Sequence, residues 1–172
     1  MSDLGEITPC WTITFRRESK HSPQRLWRAI TDPEEVSKWM GYPGRIDLRP
    51  GGDYHLDFSK PHEGDEGGEL DGVIVRVQDE EALAIVWGRS VLEWAIEPGS
   101  NGSRYTFTHH GQEPPAEGDR HTDEGIAAGW HAFLDAFAAH LDGAAPPPKA
   151  PAAHGQLEAT YRERVAAVLR SE

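Results

Sequence analysis

One broad apolar stripe between Thr122 and Gly143 constrains the fold of this chain more than any other feature of the sequence. The apolar side chains recur there at the spacing of one face of a long α-helix: Ile126, Trp130, Phe133, Leu134, Phe137 and Leu141. Thr122 or Asp123 is the predicted N-cap, and Gly143 ends the helix. Because the stripe includes three aromatic rings, the rest of the chain has to supply an apolar surface that covers it.

Residues 11–110 supply that surface mainly as short strands, in which apolar and polar residues alternate. Helical signals interrupt the strands at Ser22-Pro23 and Asp32-Pro33, where an N-capping residue precedes a proline. Arg49-Pro50-Gly51-Gly52 has the pattern of a type II turn. The predicted strands lie at 11–15, 46–48, 54–58, 72–77, 83–87, 92–96 and 105–109, of which 72–77 is Val-rich rather than alternating. The sequence therefore predicts an α+β fold in which an antiparallel sheet curves round the long helix, with two short helices after the first strand.

The end of the chain differs in composition from the rest. Residues 143–155 are rich in Ala and Pro and are predicted to form a stiff linker after a domain of residues 1–142. A short amphipathic helix is predicted over 156–172, with its apolar side chains at Leu157, Tyr161, Val165, Val168 and Leu169. This helix either packs on its own domain or forms a partner surface, such as a homodimer contact.

The charge of the chain excludes several classes of function. The formal net charge is −12, of which residues 1–142 carry −13 and residues 143–172 carry +1. A body this acidic repels phosphate groups, so we expect neither a nucleic acid nor a membrane as a partner. The first fifteen residues lack the pattern of a signal peptide, and Cys10 is the only cysteine. We therefore expect a cytoplasmic protein without an internal disulfide.

Several stretches resemble, in the same order, one known family. They are SPQRLWRAITDPEEVSKWM, LRPGGDYHLDF, GVIVRVQDEEALAIVWG, YTFTHHG and AAGWHAFLDAFAAHL. Over about residues 10–142 the chain resembles the heat-shock ATPase activator-like branch of the START/SRPBCC superfamily. The resemblance implies a helix-grip fold, in which a seven-stranded antiparallel sheet wraps round a long C-terminal helix and two short helices close one end. It also implies an internal cavity for a small, largely apolar molecule.

Aromatic side chains on the apolar faces of the strands and of the last helix are the candidate ligand-binding residues. They are Tyr54, Phe58, Trp87, Trp94, Phe107, Trp130, Phe133 and Phe137. In a helix-grip fold these faces converge, so the rings either line a pocket or fill a solid core. Trp39, at the end of the second short helix, lies either at the pocket entrance or in the core.

His109 is the candidate polar residue of the site, since its alternation with Tyr105 and Phe107 points the imidazole inward. There it either orients a ligand or transfers a proton, or it is a histidine whose hydrogen bonds are satisfied by neighbours. Asp53, His55 and Asp57 are interpreted as an exposed strand face rather than as metal ligands. The sequence shows no cofactor-binding motif and no nucleophile motif, so we expect no metal and no cofactor, and enzyme status stays open.

The leading hypothesis from the sequence is a protein that binds a small hydrophobic or aromatic molecule between the sheet and the long helix. The alternatives are a polyketide cyclase or aromatase-like enzyme, and a co-chaperone-like protein-interaction domain, because the resembling branch includes all three.

Overall fold

A computed structural model describes residues 4–8, 12–57, 69–111, 123–145 and 151–169, and in them the predicted α+β architecture is confirmed. The strands are β1 (Glu6–Thr8), β2 (Thr12–Ser19), β3 (Gly44–Ile46), β4 (Asp53–Asp57), β5 (Glu69–Gln78), β6 (Ala82–Trp87), β7 (Ser90–Gly99) and β8 (Gly102–His110). The helices are α1 (Pro23–Thr31), α2 (Pro33–Met40), α3 (Asp123–Leu141) and α4 (Pro151–Leu169). None of these four helices combines the length and apolar character that a bilayer crossing requires.

The sheet in the described residues has eight antiparallel strands, which corrects the seven strands implied by the resemblance. Their order is β1-β2-β8-β7-β6-β5-β4-β3, so that β3 to β8 form a meander and β8 pairs back onto β2. The additional strand is β1, in which Ile7 is paired with Ile13 of β2. A strand of three residues is too short to show a period of two, so only the pairing with β2 reveals it.

The local signals between residues 22 and 52 are confirmed. Ser22 caps α1 by accepting a hydrogen bond from the backbone N–H of Arg25, and Asp32 caps α2 by accepting one from Glu34. In the predicted turn, Gly51 has a φ of +80° and the N–H of Gly52 donates to the carbonyl of Arg49. A left-handed φ at the third position is what a type II turn requires, and glycine adopts it without strain.

Helix α3 covers the concave face of the sheet with its apolar stripe. Phe137 lies 5.2 Å from Trp94 of β7 and 5.4 Å from Tyr105 of β8, measured between ring centroids. Helices α1 and α2 are held against α3 by Glu35, which contacts Arg25 at 2.9 Å and His140 at 2.6 Å. Burial raises the pKa of Glu35, but the bonds to His140 and Arg25 outweigh it and leave that pKa below its usual value.

Helix α4 begins at Pro151, inside the segment 143–155 that the sequence assigns to a linker. Proline suits the first turn of a helix and the alanines that follow are strong helix formers, so the helix starts earlier than its apolar pattern indicates. Tyr161 is buried, its hydroxyl accepts a hydrogen bond from the N–H of Gly5 at 2.9 Å, and it contacts His131 Nδ1 at 2.8 Å. These contacts favour the interpretation that α4 packs on its own domain. The homodimer and the domain boundaries stay predictions.

We expect the substitution Tyr161→Phe to lower the free energy of unfolding by about 1–3 kcal/mol, because it leaves the buried N–H of Gly5 without a partner. Urea denaturation followed by circular dichroism measures this loss. Thr160→Ala is the control, since the hydroxyl of Thr160 bonds to the carbonyl of Gln156 within α4 itself, and the expected change is within about 0.5 kcal/mol. Equal losses in the two variants would show that the hydroxyl does not hold α4 in place.

Candidate functional site

The described candidate residues lie in one connected network on the concave face of the sheet and on the helices that cover it. Each of their rings lies within 6.5 Å of another member of the network. The members are Trp39, Tyr54, Trp87, Trp94, Phe107, His109, Trp130, Phe133 and Phe137. Phe58, the remaining candidate, lies outside the described residues. The role of these residues in ligand binding stays a prediction.

Five members of this network are buried, among them Tyr54, which is 5% exposed. The other four are Trp94 and the rings that contact it, and we call them the inner set: Trp39, Trp94, Phe107 and Phe137. Their exposed fractions are 4%, 4%, 0% and 0%. Trp94 lies at the centre, 4.9 Å from Phe107 and 6.2 Å from Trp39 between ring centroids. Trp39 donates its indole N–H to the carbonyl of Ala29 at 2.9 Å, so it is a core residue rather than an entrance residue. The inner set therefore corresponds to the solid-core interpretation.

Besides His109, three members are only half-buried, and we call them the outer set: Trp87, Trp130 and Phe133. The rings of Trp87 and Trp130 meet edge to face, with centroids 6.3 Å apart and an interplanar angle of 90°. Phe133 lies one helical turn after Trp130, at 5.9 Å. The outer set lies where the β6–β7 hairpin meets α3, and its rings retain accessible apolar surface.

Gly72 allows the strands beside the outer set to curve closely together. Tyr54, Gly72 and Trp87 lie in one cross-strand row over β4, β5 and β6. A Cβ atom at Gly72 would lie 2.8 Å from a methyl carbon of Ile85 and 3.0 Å from the carbonyl oxygen of Tyr54, which is closer than side chains tolerate. Its absence lets the Tyr54 and Trp87 rings approach to 6.2 Å.

His109 is held by hydrogen bonds at both of its ring nitrogens. The indole N–H of Trp130 donates to Nδ1 at 2.8 Å, and Nε2 lies 2.9 Å from Ser90 Oγ. An indole N–H can only donate, so Nδ1 is the unprotonated nitrogen and Nε2 carries the proton that it donates to Ser90. Burial, together with the nearby positive charge of protonated His110, lowers the pKa of His109 to about 4. His109 is therefore neutral near pH 7.

This arrangement bears on the chemistry of His109. Nε2 already carries a proton and the lone pair of Nδ1 is engaged by Trp130, so the imidazole has no free site with which to take a proton from Ser90. The geometry favours the interpretation of a histidine satisfied by its neighbours. Sequence reasoning missed Ser90, whose only signal is its position directly before the alternating residues of β7.

A second buried polar group lies farther along the same face. Arg17 of β2 is 8% exposed and donates to Asp135 of α3 at 2.8 Å. His131, one turn before Asp135, has its pKa lowered by burial, an effect that the Asp135 carboxylate partly opposes. Together with the Tyr161 hydroxyl, these groups join β2, α3 and α4. Sequence reasoning placed Tyr161 on the apolar side of the last helix but missed Arg17, His131 and Asp135, since none of these three belongs to a recognisable motif.

The polar face of β4 differs from the expectation. His55 is buried rather than exposed, and its Nδ1 contacts the Asp71 carboxylate of β5 at 2.6 Å. The cross-strand neighbour covers the ring, which alternation within one strand cannot show. Across the ranges that the structure describes, no group of three or more His, Cys, Asp or Glu side chains could hold a metal ion.

The antiparallel sheet curves round one long helix, and half-buried aromatic rings lie at one end of the interface between sheet and helix. This arrangement is consistent with a helix-grip protein of the START/SRPBCC superfamily. A family model confirms this class. The chain belongs to the family described as "Activator of Hsp90 ATPase homolog 1-like protein", whose model matches residues 20–142.

Solved structures show the same fold at low sequence identity. A conserved protein of unknown function from Enterococcus faecalis, EF2215, is 17% identical with a TM-score of 0.76, and the match covers 96% of this chain and 91% of that one. The protein encoded by BPP1335 of Bordetella parapertussis is 22% identical with a TM-score of 0.72, over 95% and 94% of the two chains. CalU16 of Micromonospora echinospora is 22% identical with a TM-score of 0.68, over 91% and 87%. A search of curated proteins gives no match.

Proposed function

We propose that this protein binds a small hydrophobic or aromatic molecule at the outer set, between the β6–β7 hairpin and α3. The observation that carries the proposal is the contrast within the aromatic network. The inner set is sealed, whereas Trp87, Trp130 and Phe133 keep accessible ring surface side by side. Half-buried aromatic side chains that lie next to one another, and that pack on a buried core, suit the binding of another flat apolar molecule.

The affinity to expect follows, to an order of magnitude, from apolar burial. Covering about 200 Å² of apolar surface supplies about 5 kcal/mol at 25 cal/mol per Å². Association costs of several kcal/mol oppose this gain, so apolar contact alone gives weak binding. A natural ligand therefore has to extend beyond the rings or add a polar contact.

The geometry of His109 favours binding over a cyclase-type reaction. Such a reaction needs a group that moves a proton, and both nitrogens of His109 are engaged in hydrogen bonds to Trp130 and Ser90. The co-chaperone-like alternative draws on the family description alone, and no contact in the described residues favours it.

We expect 2-ethylnaphthalene, an apolar probe, to bind at a single saturable site, and the substitution Trp130→Ala to weaken that binding at least about tenfold because it removes the central ring of the outer set. Isothermal titration calorimetry measures the dissociation constant. Trp27→Ala is the matched control, since Trp27 is also a half-buried tryptophan but lies on α1. Circular dichroism checks that both variants are folded. An equal loss in the two folded variants, or none in Trp130→Ala, would move the site away from the outer set.

A further inference from the structure

Trp130, His109 and Ser90 form a series of hydrogen bonds beside the outer set, in which each member donates to the next. Trp130 donates to His109 Nδ1, so the proton of His109 lies on Nε2, and Nε2 donates to Ser90 Oγ. Each step follows from the previous one, because an indole can only donate and a neutral imidazole has one donor and one acceptor. The series ends on the hydroxyl of Ser90.

Ser90 still has a proton to donate. A serine hydroxyl has one O–H donor and two lone pairs, and the bond from His109 uses a lone pair. Among the described residues, Ser90 Oγ makes this one side-chain hydrogen bond. The residue is half-buried and pairs directly with Trp87 across the β6–β7 hairpin, so that its side chain and the Trp87 ring lie on the same face of the sheet. Its unused donor is therefore next to the outer set.

We infer that the Ser90 hydroxyl is the specificity-determining donor of the site, and that it selects flat apolar molecules carrying a neutral acceptor oxygen, such as an aromatic ketone. This inference rests on the proposed function, since it names the polar contact that apolar binding at the outer set requires. It also assigns the ligand-orienting role to Ser90 instead of His109, whose nitrogens are both engaged.

Two further observations restrict the class of ligand. A hydroxyl that accepts one hydrogen bond becomes a stronger donor, so the series from Trp130 strengthens the bond from Ser90 to an acceptor oxygen. Residues 1–142 carry a net charge of −13, which opposes the approach of a carboxylate. A neutral carbonyl provides the acceptor without that repulsion.

The test compares two probes of nearly the same shape, 2-acetylnaphthalene and 2-ethylnaphthalene, which differ in one carbonyl oxygen. Dissociation constants of both are measured by calorimetry for the unaltered protein and for the variants Ser90→Ala and Ser37→Ala. Ser37 is the matched control, because its hydroxyl bonds to the carbonyl of Glu34 on the exposed side of α2. We expect Ser90→Ala to weaken binding of the ketone about 3–10-fold and to change binding of the hydrocarbon less than about twofold. Ser37→Ala is expected to change neither.

Each other outcome contradicts a defined part of the argument. Suppose that Ser90→Ala leaves ketone binding unchanged, or weakens both probes equally, while Trp130→Ala still weakens binding at least about tenfold. The role of Ser90 is then wrong, and the proposed site remains. If neither probe binds to the unaltered protein, the proposed function fails and the inference fails with it. A ketone preference that persists in Ser90→Ala would assign the donor to another residue and overturn the inference.

Discussion

Replacing Trp94 by alanine is expected to lower the free energy of unfolding by about 3–5 kcal/mol, the largest effect of any substitution considered for this protein. The Trp94 side chain is 4% exposed and packs against Trp39, Tyr105, Phe107 and Phe137. Removing the ring loses the free energy that its burial contributes. It also leaves a cavity, which the four neighbouring rings can fill only by moving from their own positions. Urea denaturation followed by circular dichroism measures the loss.

Trp87→Ala is the control for this experiment, since Trp87 is a tryptophan of the same network that is only half-buried. We expect it to cost about half as much, because part of its surface is already in water. Losses of about 1 kcal/mol or less in Trp94→Ala would indicate that the inner set borders empty space instead of forming a solid core. The same result would move the proposed binding site deeper into the fold.

The second large effect is a pH dependence that arises from His109. Burial and the neighbouring His110 lower the pKa of His109 to about 4 in the folded protein, against about 6.5 in the unfolded chain. Between these two values the unfolded state binds more protons, so stability rises with pH across this window. The stability is complete above about pH 6.5 and is lost as the pH falls towards 4. We expect His109 to account for a loss of up to about 3 kcal/mol.

The variant His109→Gln isolates this contribution. Glutamine stays uncharged over the whole range and can both accept and donate a hydrogen bond, as neutral His109 does. The other titratable groups are the same in the two proteins. The difference in unfolding free energy between wild type and variant is therefore measured at pH 7 and again at pH 4.5. A difference that does not change with pH would contradict the buried, neutral state of His109.

The face on which the aromatic network lies could be predicted from the sequence, but its division into a buried inner set and a half-buried outer set could not. Alternation along β7 and β8 indicates that Trp94, Phe107 and His109 point to the same side, and the structure places them there. Alternation indicates which face of the sheet a side chain lies on, but not how deeply that side chain is buried. Trp94 is sealed while Trp87 is half-buried because α3 and α2 cover only part of the concave face.

The hydrogen-bond partners of His109 could not be predicted from the sequence either. Ser90 and Trp130 reach His109 from positions 19 residues before it and 21 residues after it in the chain. No spacing in the sequence encodes these partners, because they depend on the register of β7 with β8 and on the rotation of α3 over the sheet. The unused donor of Ser90 becomes evident only when all three side chains are placed.

Local order in this protein follows from the sequence, because caps, turns and apolar periods act over a few neighbouring residues. Ser22, Asp32 and Gly51 each occupy the position that their chemistry favours, and the stripe of α3 forms the helix that it predicts. Contacts between distant segments follow from packing. The pairing of β1, the docking of α4 through Tyr161 and the partners of His109 each join residues whose proximity exists only after the sheet has closed round α3. Short-range preferences therefore define the elements, and burial of their apolar faces against one another selects the side chains that meet.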